Sequence, residues 1–216
     1  MKLVFILLAL WLFASPAWTK PIAYARGTTL MAEYGSDLMQ EAQVFYAPRY
    51  NYSLGGGYLR MEARDRSFDR NITYLRANLL VKRWNLPGAQ GNIFAFGGLG
   101  SAEGRGFSGR RTAYNGGVQA DYETRRIYVS GKHDWHGVPG GFAEQMTTVQ
   151  AGFAPYAHDW DVLATWFLIQ ARHYRKGMLD DRIQTAALVR LFKGNTWFEV
   201  GATDDGRLQT MLMFNI

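Results

Sequence analysis

The segment Lys132-His133-Asp134-Trp135-His136 places a carboxylate two residues before an imidazole. In an extended chain, residues two apart share a face, so Asp134 and His136 would stand side by side with Lys132. A carboxylate beside an imidazole orients the ring and raises its basicity for general-base work. Imidazole and carboxylate also suit zinc or copper, but His133 and His136 fall on opposite faces of a regular strand, and no metal site is expected. The chain has no cysteine, which removes thiolate nucleophiles, thiolate metal sites and disulfides. GLGSAEGRG at 98–106 lacks the G-x-G-x-x-G order, and no crossover helix follows it, so it reads as a loop and no cofactor is expected.

The periodicity of the chain says what scaffold carries these residues. In ITYLRANLLVKRW (72–84), Leu75, Ala77, Leu79 and Val81 share one face and Tyr74, Arg76, Asn78 and Lys82 the other. RIQTAALVRLF opposes Ile183, Thr185, Ala187, Val189 and Leu191 to Gln184, Ala186 and Arg190, and TWFEVGATD opposes Phe198, Val200 and Ala202 to Glu199, Gly201 and Thr203. The best helix candidate, DVLATWFLIQAR at 161–172, is apolar on nearly all sides and makes no amphipathic helix. Period two wins. Counting outward gives twelve strands, at 28–35, 42–48, 52–63, 72–84, 92–100, 112–122, 126–136, 145–154, 161–173, 182–192, 196–204 and 207–216, with ten as the alternative count.

Joined in order, these strands alternate short connections (PRYN, LPGAQ, ETR, PYAHD, KGN) with longer charged ones (GSDLMQ, ARDRSFDR, SAEGRGFSGRR, GVPGGFA, YRKGMLDD), DDG being the exception. Short inner turns, longer outer loops and an even strand number are the pattern of a barrel in lipid. Glycine and aromatics on short, even segments add to it: Gly 24, Tyr 12, Phe 13. Trp84, Trp160 and Trp197 lie near inner strand ends and Trp135 near an outer one, the depth of interface aromatics, although strict alternation points Trp84 and Trp197 into the lumen.

The first residues set the compartment. A charged start at Lys2, an apolar run from Leu3 to Phe13, and small residues at Ala14, Ser15 and Ala17 form a secretory signal over 1–17. The cut is expected after Ala17, with Ala23-Tyr24-Ala25 as the alternative, and a single domain fills 26–216. The run has roughly half the ~20 residues of a spanning helix. Export takes nucleic acid away as a partner for a chain of net charge +6 and pI 9.6, leaving a phosphate-rich membrane surface as the acidic partner.

Alternation alone does not distinguish apolar faces turned to lipid from apolar faces turned to a soluble core. The end of the chain breaks the tie. Counting back from Ile216, apolar residues recur at Phe214, Leu212 and, after Thr210, Leu208. This resembles the carboxy-terminal signature of bacterial outer-membrane β-barrels, which the barrel-assembly machinery reads, although those families most often end on Phe. The resemblance implies an all-β, antiparallel up-and-down transmembrane β-barrel in the outer membrane of a Gram-negative bacterium. Its last strand would pair with the first, near 28–34, turning Leu208, Leu212, Phe214 and Ile216 to lipid and Gln209, Met211, Met213 and Asn215 inward. The Asp134-x-His136 spacing is also similar to that of the omptin family of outer-membrane proteases, which implies Asp134 as the orienting group and His136 as the base. Omptins set an acidic pair across the cleft, for which only Asp65, Asp69, Asp180 and Asp181 are candidates. Outer-membrane lipases and lipid A deacylases carry His-x-Ser, and none of His133, His136, His158 or His173 has Ser two residues on.

On this facing the lumen holds Arg60, Arg76, Lys82, Lys132, Arg172 and Arg190 against Glu33, Glu62, Asp121, Asp134 and Glu199. Near balance points to a paired network filling the barrel, since a selective anion pore needs an uncompensated ring. Arg64, Arg66, Arg70, Arg105, Arg110, Arg111, Arg175, Lys176 and Arg182 fall at or near the outer rim, where lipopolysaccharide phosphates would meet the two-pronged guanidinium. The sequence thus reads as a non-enzymatic outer-membrane barrel, structural or passing a small solute through a narrow lumen, with a lipopolysaccharide-contacting rim. The alternative is an omptin-like surface hydrolase using Asp134 and His136.

Overall fold

The computed structural model describes residues 25–67, 69–105, 108–159, 161–175 and 181–216; the expected signal segment, Trp160, Lys176 and Asp180 lie outside the described residues. Twelve strands follow in order: β1 (Gly27–Gly35), β2 (Met39–Arg49), β3 (Tyr52–Glu62), β4 (Asp69–Leu86), β5 (Ala89–Gly104), β6 (Arg111–Thr124), β7 (Ile127–Gly137), β8 (Ala143–Phe153), β9 (Ala164–Arg175), β10 (Ile183–Lys193), β11 (Thr196–Thr203) and β12 (Leu208–Asn215). Each pairs antiparallel with its sequence neighbours, and β12 returns to β1, so the sheet is a closed barrel with no free edge. Closure satisfies every ladder internally, which a spanning sheet requires. At the seam Thr29 faces Asn215 and Ala32 faces Leu212, and the Thr29 hydroxyl donates to Asn215 Oδ1 at 2.7 Å. The strand expected from 161 begins at Ala164, which lengthens the connection 154–163. We call the end bearing connections 36–38, 63–68, 105–110 and 138–142 the outer end.

The two faces are chemically opposite. Outward side chains include Leu75 (75 % exposed), Ile169 (69 %) and Leu99 (67 %), whereas Asn78, Asn92 and Gln184 are buried inside. An apolar surface of that extent would aggregate in water, and it is what lipid-facing strands need. The terminal strand follows the same rule: Gln209, Met213 and Asn215 are buried while Leu208, Leu212 and Ile216 are exposed.

Two local features change the facing expected from simple alternation. In β4 the register with β5 slips between Leu80 and Lys82, so that Lys82 opposes the outward Ile93 and Arg83 opposes the inward Asn92. This bulge turns Lys82 and Trp84 outward, with the Lys82 ammonium 6.0 Å from the Trp84 ring, and puts Arg83 in the lumen. In β3, Leu59 and Met61 are buried, so Arg60 and Glu62 lie on the outer face, paired to each other at 2.9 Å. Gly55-Gly56-Gly57 hides that phase, because it carries no side chains to show alternation. Glycine is needed there: a Cβ at Gly55 would stand 2.8 Å from the Phe45 ring, and one at Gly57 2.6 Å from the Tyr74 hydroxyl.

Candidate functional site

The barrel interior is layered. Beneath the outer rim lies an apolar layer in which Leu38, Leu59, Met61, Ile72, Val138 and Tyr174 are buried together, with Phe142 and Met146 packed against them. Leu38, Val138 and Phe142 come from the connections rather than the strands, so the loops fold into the mouth. The Arg70 guanidinium lies 5.0 Å over the Phe142 ring, and Arg111 Nη2 donates to the Pro139 carbonyl at 3.1 Å, tying that loop down. Across the mouth, Ser36 donates to Gln184 at 2.9 Å.

Below this layer the interior turns polar and the charges are paired. Arg172 meets Glu33 at 2.5 Å and donates from Nε to Thr148 at 3.2 Å. Lys132 meets Asp134 at 3.0 Å, and Tyr74 donates its hydroxyl to Glu41 at 2.5 Å. Arg76 donates to Gln43 at 2.9 Å and lies within 5.1 Å of the Phe45, Tyr74 and Phe96 rings. Amides cross the lumen as well: Gln150 donates to Gln170 at 2.9 Å and Gln170 to Gln209 at 3.0 Å.

Nearer the inner end, Arg190 donates to Glu199 at 2.7 Å while its guanidinium is held between the Tyr128 ring at 4.2 Å and the Trp197 ring at 4.1 Å. Trp197 Nε1 also donates to Glu199, at 2.9 Å, and Gln150 accepts from Arg190 at 3.2 Å. Arg83 donates to Asn92 at 2.7 Å, and Asn92 to Asp121 at 2.7 Å. Between the Glu33–Arg172 pair and Trp197, a cavity of about 150 Å³ is lined by Arg76, Lys132, Arg190 and Glu199.

Of the charges expected in the lumen, Glu33, Arg76, Asp121, Lys132, Asp134, Arg172, Arg190 and Glu199 face it; Arg60, Glu62 and Lys82 do not, for the reasons given above. Glu41, Arg83 and Glu144 join the interior. Glu41 was legible in the alternation Glu41, Gln43, Phe45, Ala47, but the expected strand began one residue too late; Arg83 was hidden by the bulge. The positive and negative charges remain close to balance.

Asp134 and His136 stand on the inner face of β7, buried to 1 % and 6 % exposure. Asp134 is bound by Lys132, and His136 opposes Glu144 in the β7–β8 register. His136 sits among the residues of the apolar layer, on a wall shared with Leu59, Met61 and Tyr174, and Asp134 follows it deeper along β7. Among the described residues, neither side chain is displayed at the surface of the mouth. His133 faces outward and bonds the Thr147 hydroxyl at 2.8 Å.

At the rim, Arg64, Arg182 and Arg207, from three different connections, converge on Asp205. The Thr203 hydroxyl donates to the same carboxylate at 2.5 Å. This hydrogen bond first, and then Arg64 and Arg182, lower the Asp205 pKa from the ordinary aspartate range to about 2. Arg105 pairs with Asp69 at 3.6 Å and donates to the Arg66 carbonyl at 2.8 Å, and Arg110 reaches Glu103 at 3.8 Å. Arg66 sits in a left-handed turn at φ 56°. Arg175 is exposed at the top of β9, and Lys176 lies outside the described residues.

No protein-family model and no curated protein matches this sequence. Solved structures with a similar chain trace carry the titles "KdgM porin" and "KdgM porin in complex with disordered oligogalacturonate". The first shares 11 % identity at a TM-score of 0.46, covering 88 % of this chain and 96 % of its own. The second shares 10 % identity at a TM-score of 0.45, with the same coverages.

Proposed function

We propose that this chain is a non-enzymatic outer-membrane barrel whose lumen is closed toward the cell exterior. It serves as an envelope element with a narrow interior for a small solute, and its basic rim contacts lipopolysaccharide. The observation that carries the reading is the apolar layer, built partly from loop residues Leu38, Val138 and Phe142, over a polar interior whose charges are mostly paired. A hydrolase must present its base to substrate, and here His136 is buried among the residues of that layer.

At the rim, Arg66, Arg105, Arg110, Arg111 and Arg175 are the groups offered to lipid phosphates, with Arg64 engaged on Asp205. Leu208, Leu212, Phe214 and Ile216 form the lipid-facing stripe offered to the barrel-assembly machinery. Planar-bilayer recording tests the closed lumen. The wild-type barrel should give little or no steady current, and Leu59→Ala with Phe142→Ala, which thins the layer, should add brief openings. Large steady channels from the unmodified protein would sink the proposal. For the rim, Arg105→Glu with Arg110→Glu should weaken lipopolysaccharide binding; unchanged binding would remove that part.

A further inference from the structure

The methionines are distributed in a way that packing alone does not demand. Among the described residues they are Met31, Met39, Met61, Met146, Met211 and Met213, and every one faces the lumen, while the lipid face is built from Leu, Ile, Val and aromatic residues. Met31, Met211 and Met213 line the large cavity, and Met146 stands at its edge. Met39 and Met61, with Met146 shared between the two, line a second cavity of about 20 Å³ just under the outer rim. That volume holds one water-sized occupant.

The register brings the donors of this smaller cavity together from opposite walls. Met39 and Met61 are direct cross-strand partners on β2 and β3. Met146 follows two residues after Glu144 on the inner face of β8, and Glu144 opposes His136 of β7. His136 and Glu144 both line the cavity. His136 is 6 % exposed, and its Nε2 has no hydrogen-bond partner. A buried polar nitrogen left without a partner carries an uncompensated desolvation cost. An occupant that binds through the nitrogen removes that cost.

We propose that this cavity binds a single Cu(I) ion through the thioethers of Met39, Met61 and Met146 and Nε2 of His136. Thioether sulfur is a soft donor that selects Cu(I), and imidazole serves the same ion. Calcium or magnesium would need a shell of oxygens, of which this wall offers little beyond Glu144 and the Tyr174 hydroxyl. A single positive charge is also the smallest ionic burden for a buried site, and the Glu144 carboxylate lies on the same wall. The ion enters as Cu(I), so binding involves no electron transfer. The competing occupant is a water molecule, which would satisfy His136 and leave the thioethers unused. This site does not depend on whether the lumen passes a solute.

The test is anaerobic titration of the refolded full barrel with Cu(I), held in competition with a Cu(I) chelator, with Ag(I) as a redox-inert second probe. The expected result is one ion per barrel. Met39→Leu, Met61→Leu and Met146→Leu, which conserve volume, should each weaken binding at least tenfold, while the triple change Met31→Leu, Met211→Leu, Met213→Leu leaves it unaltered. Methionine-methyl NMR of the unmodified protein gives a readout that needs no variant: Ag(I) should shift the Met39, Met61 and Met146 signals alone. Absence of a retained ion, binding indifferent to the three single changes, or shifts confined to Met31, Met211 and Met213 would each overturn the proposal.

Discussion

Removing one partner of the Arg190–Glu199 pair should cost the barrel far more than removing both. The two side chains are 4 % and 5 % exposed and 2.7 Å apart, and Arg190 is pressed between two aromatic rings. Glu199→Gln keeps the shape and the Trp197 contact but leaves a buried guanidinium without its counter-ion. Breaking a buried pair in this way typically costs about 3–5 kcal/mol. The two cation–π contacts are present in both proteins and cancel from the difference. The net expectation is a loss of about 3–5 kcal/mol, or roughly a hundredfold to a few thousandfold in the folding equilibrium at about 1.4 kcal/mol per factor of ten.

Arg190→Met strands Glu199 instead and gives up the cation–π contacts as well, so its loss should be at least as large. Replacing both, as Arg190→Met with Glu199→Leu, removes the desolvation cost along with the attraction and should destabilise less than either single change. Urea unfolding from liposomes, read by tryptophan fluorescence, measures all three. If the double variant lost the sum of the two single losses, the groups would be uncoupled and the claim of a paired interior would fail at its best-defined point.

Two further expectations concern the loops and the lipid face. Because the folded-state pKa of Asp205 lies at about 2, below the ordinary value near 4, its stabilisation of the three converging arginines is complete above pH ~4 and lost as pH falls through about 2. Limited proteolysis of the 204–207 turn should therefore rise only below about pH 4 in the wild type, and already at pH 7 in Asp205→Asn; equal resistance of the two at pH 7 would show that the carboxylate holds nothing. Leu75→Arg, which puts a charge on the lipid face near the middle of β4, should cost about 2–4 kcal/mol in liposome refolding, whereas Arg60→Leu on the outer face near the rim should cost little. A neutral Leu75→Arg would mean that this face does not meet hydrocarbon.

Most of the fold was readable because a barrel in lipid enforces period two so strictly. Leu75, Ala77, Leu79 and Val81 in β4, and Leu208, Leu212 and Phe214 in β12, show their facing directly in the sequence. What failed were the places where backbone geometry breaks the period without changing residue types. The bulge before Lys82 reverses every later side chain in β4, and nothing in LLVKRW distinguishes a bulge from a regular strand. In β3 three glycines carry no polarity signal, so Arg60 and Glu62 read as lumenal charges when they are exterior ones. The apolar layer was illegible for another reason. Leu59, Met61 and Ile72 look like lipid-facing residues by type, and only the closed sheet shows that they meet Leu38, Val138 and Phe142 inside the mouth. The Asp134-x-His136 pair was correctly placed on one inward face, but its burial depends on that same layer.

The absence of cysteine throughout the chain allows the proposed closure of the outer mouth to be probed directly. Gln119 lines the large cavity inside the barrel, and Ser108 is exposed in an outer loop. In intact cells treated with a membrane-impermeant maleimide, Ser108→Cys should label readily and Gln119→Cys should stay unlabelled until the barrel is unfolded. Labelling of Gln119→Cys at the rate of Ser108→Cys would show an open path from the exterior and contradict the account.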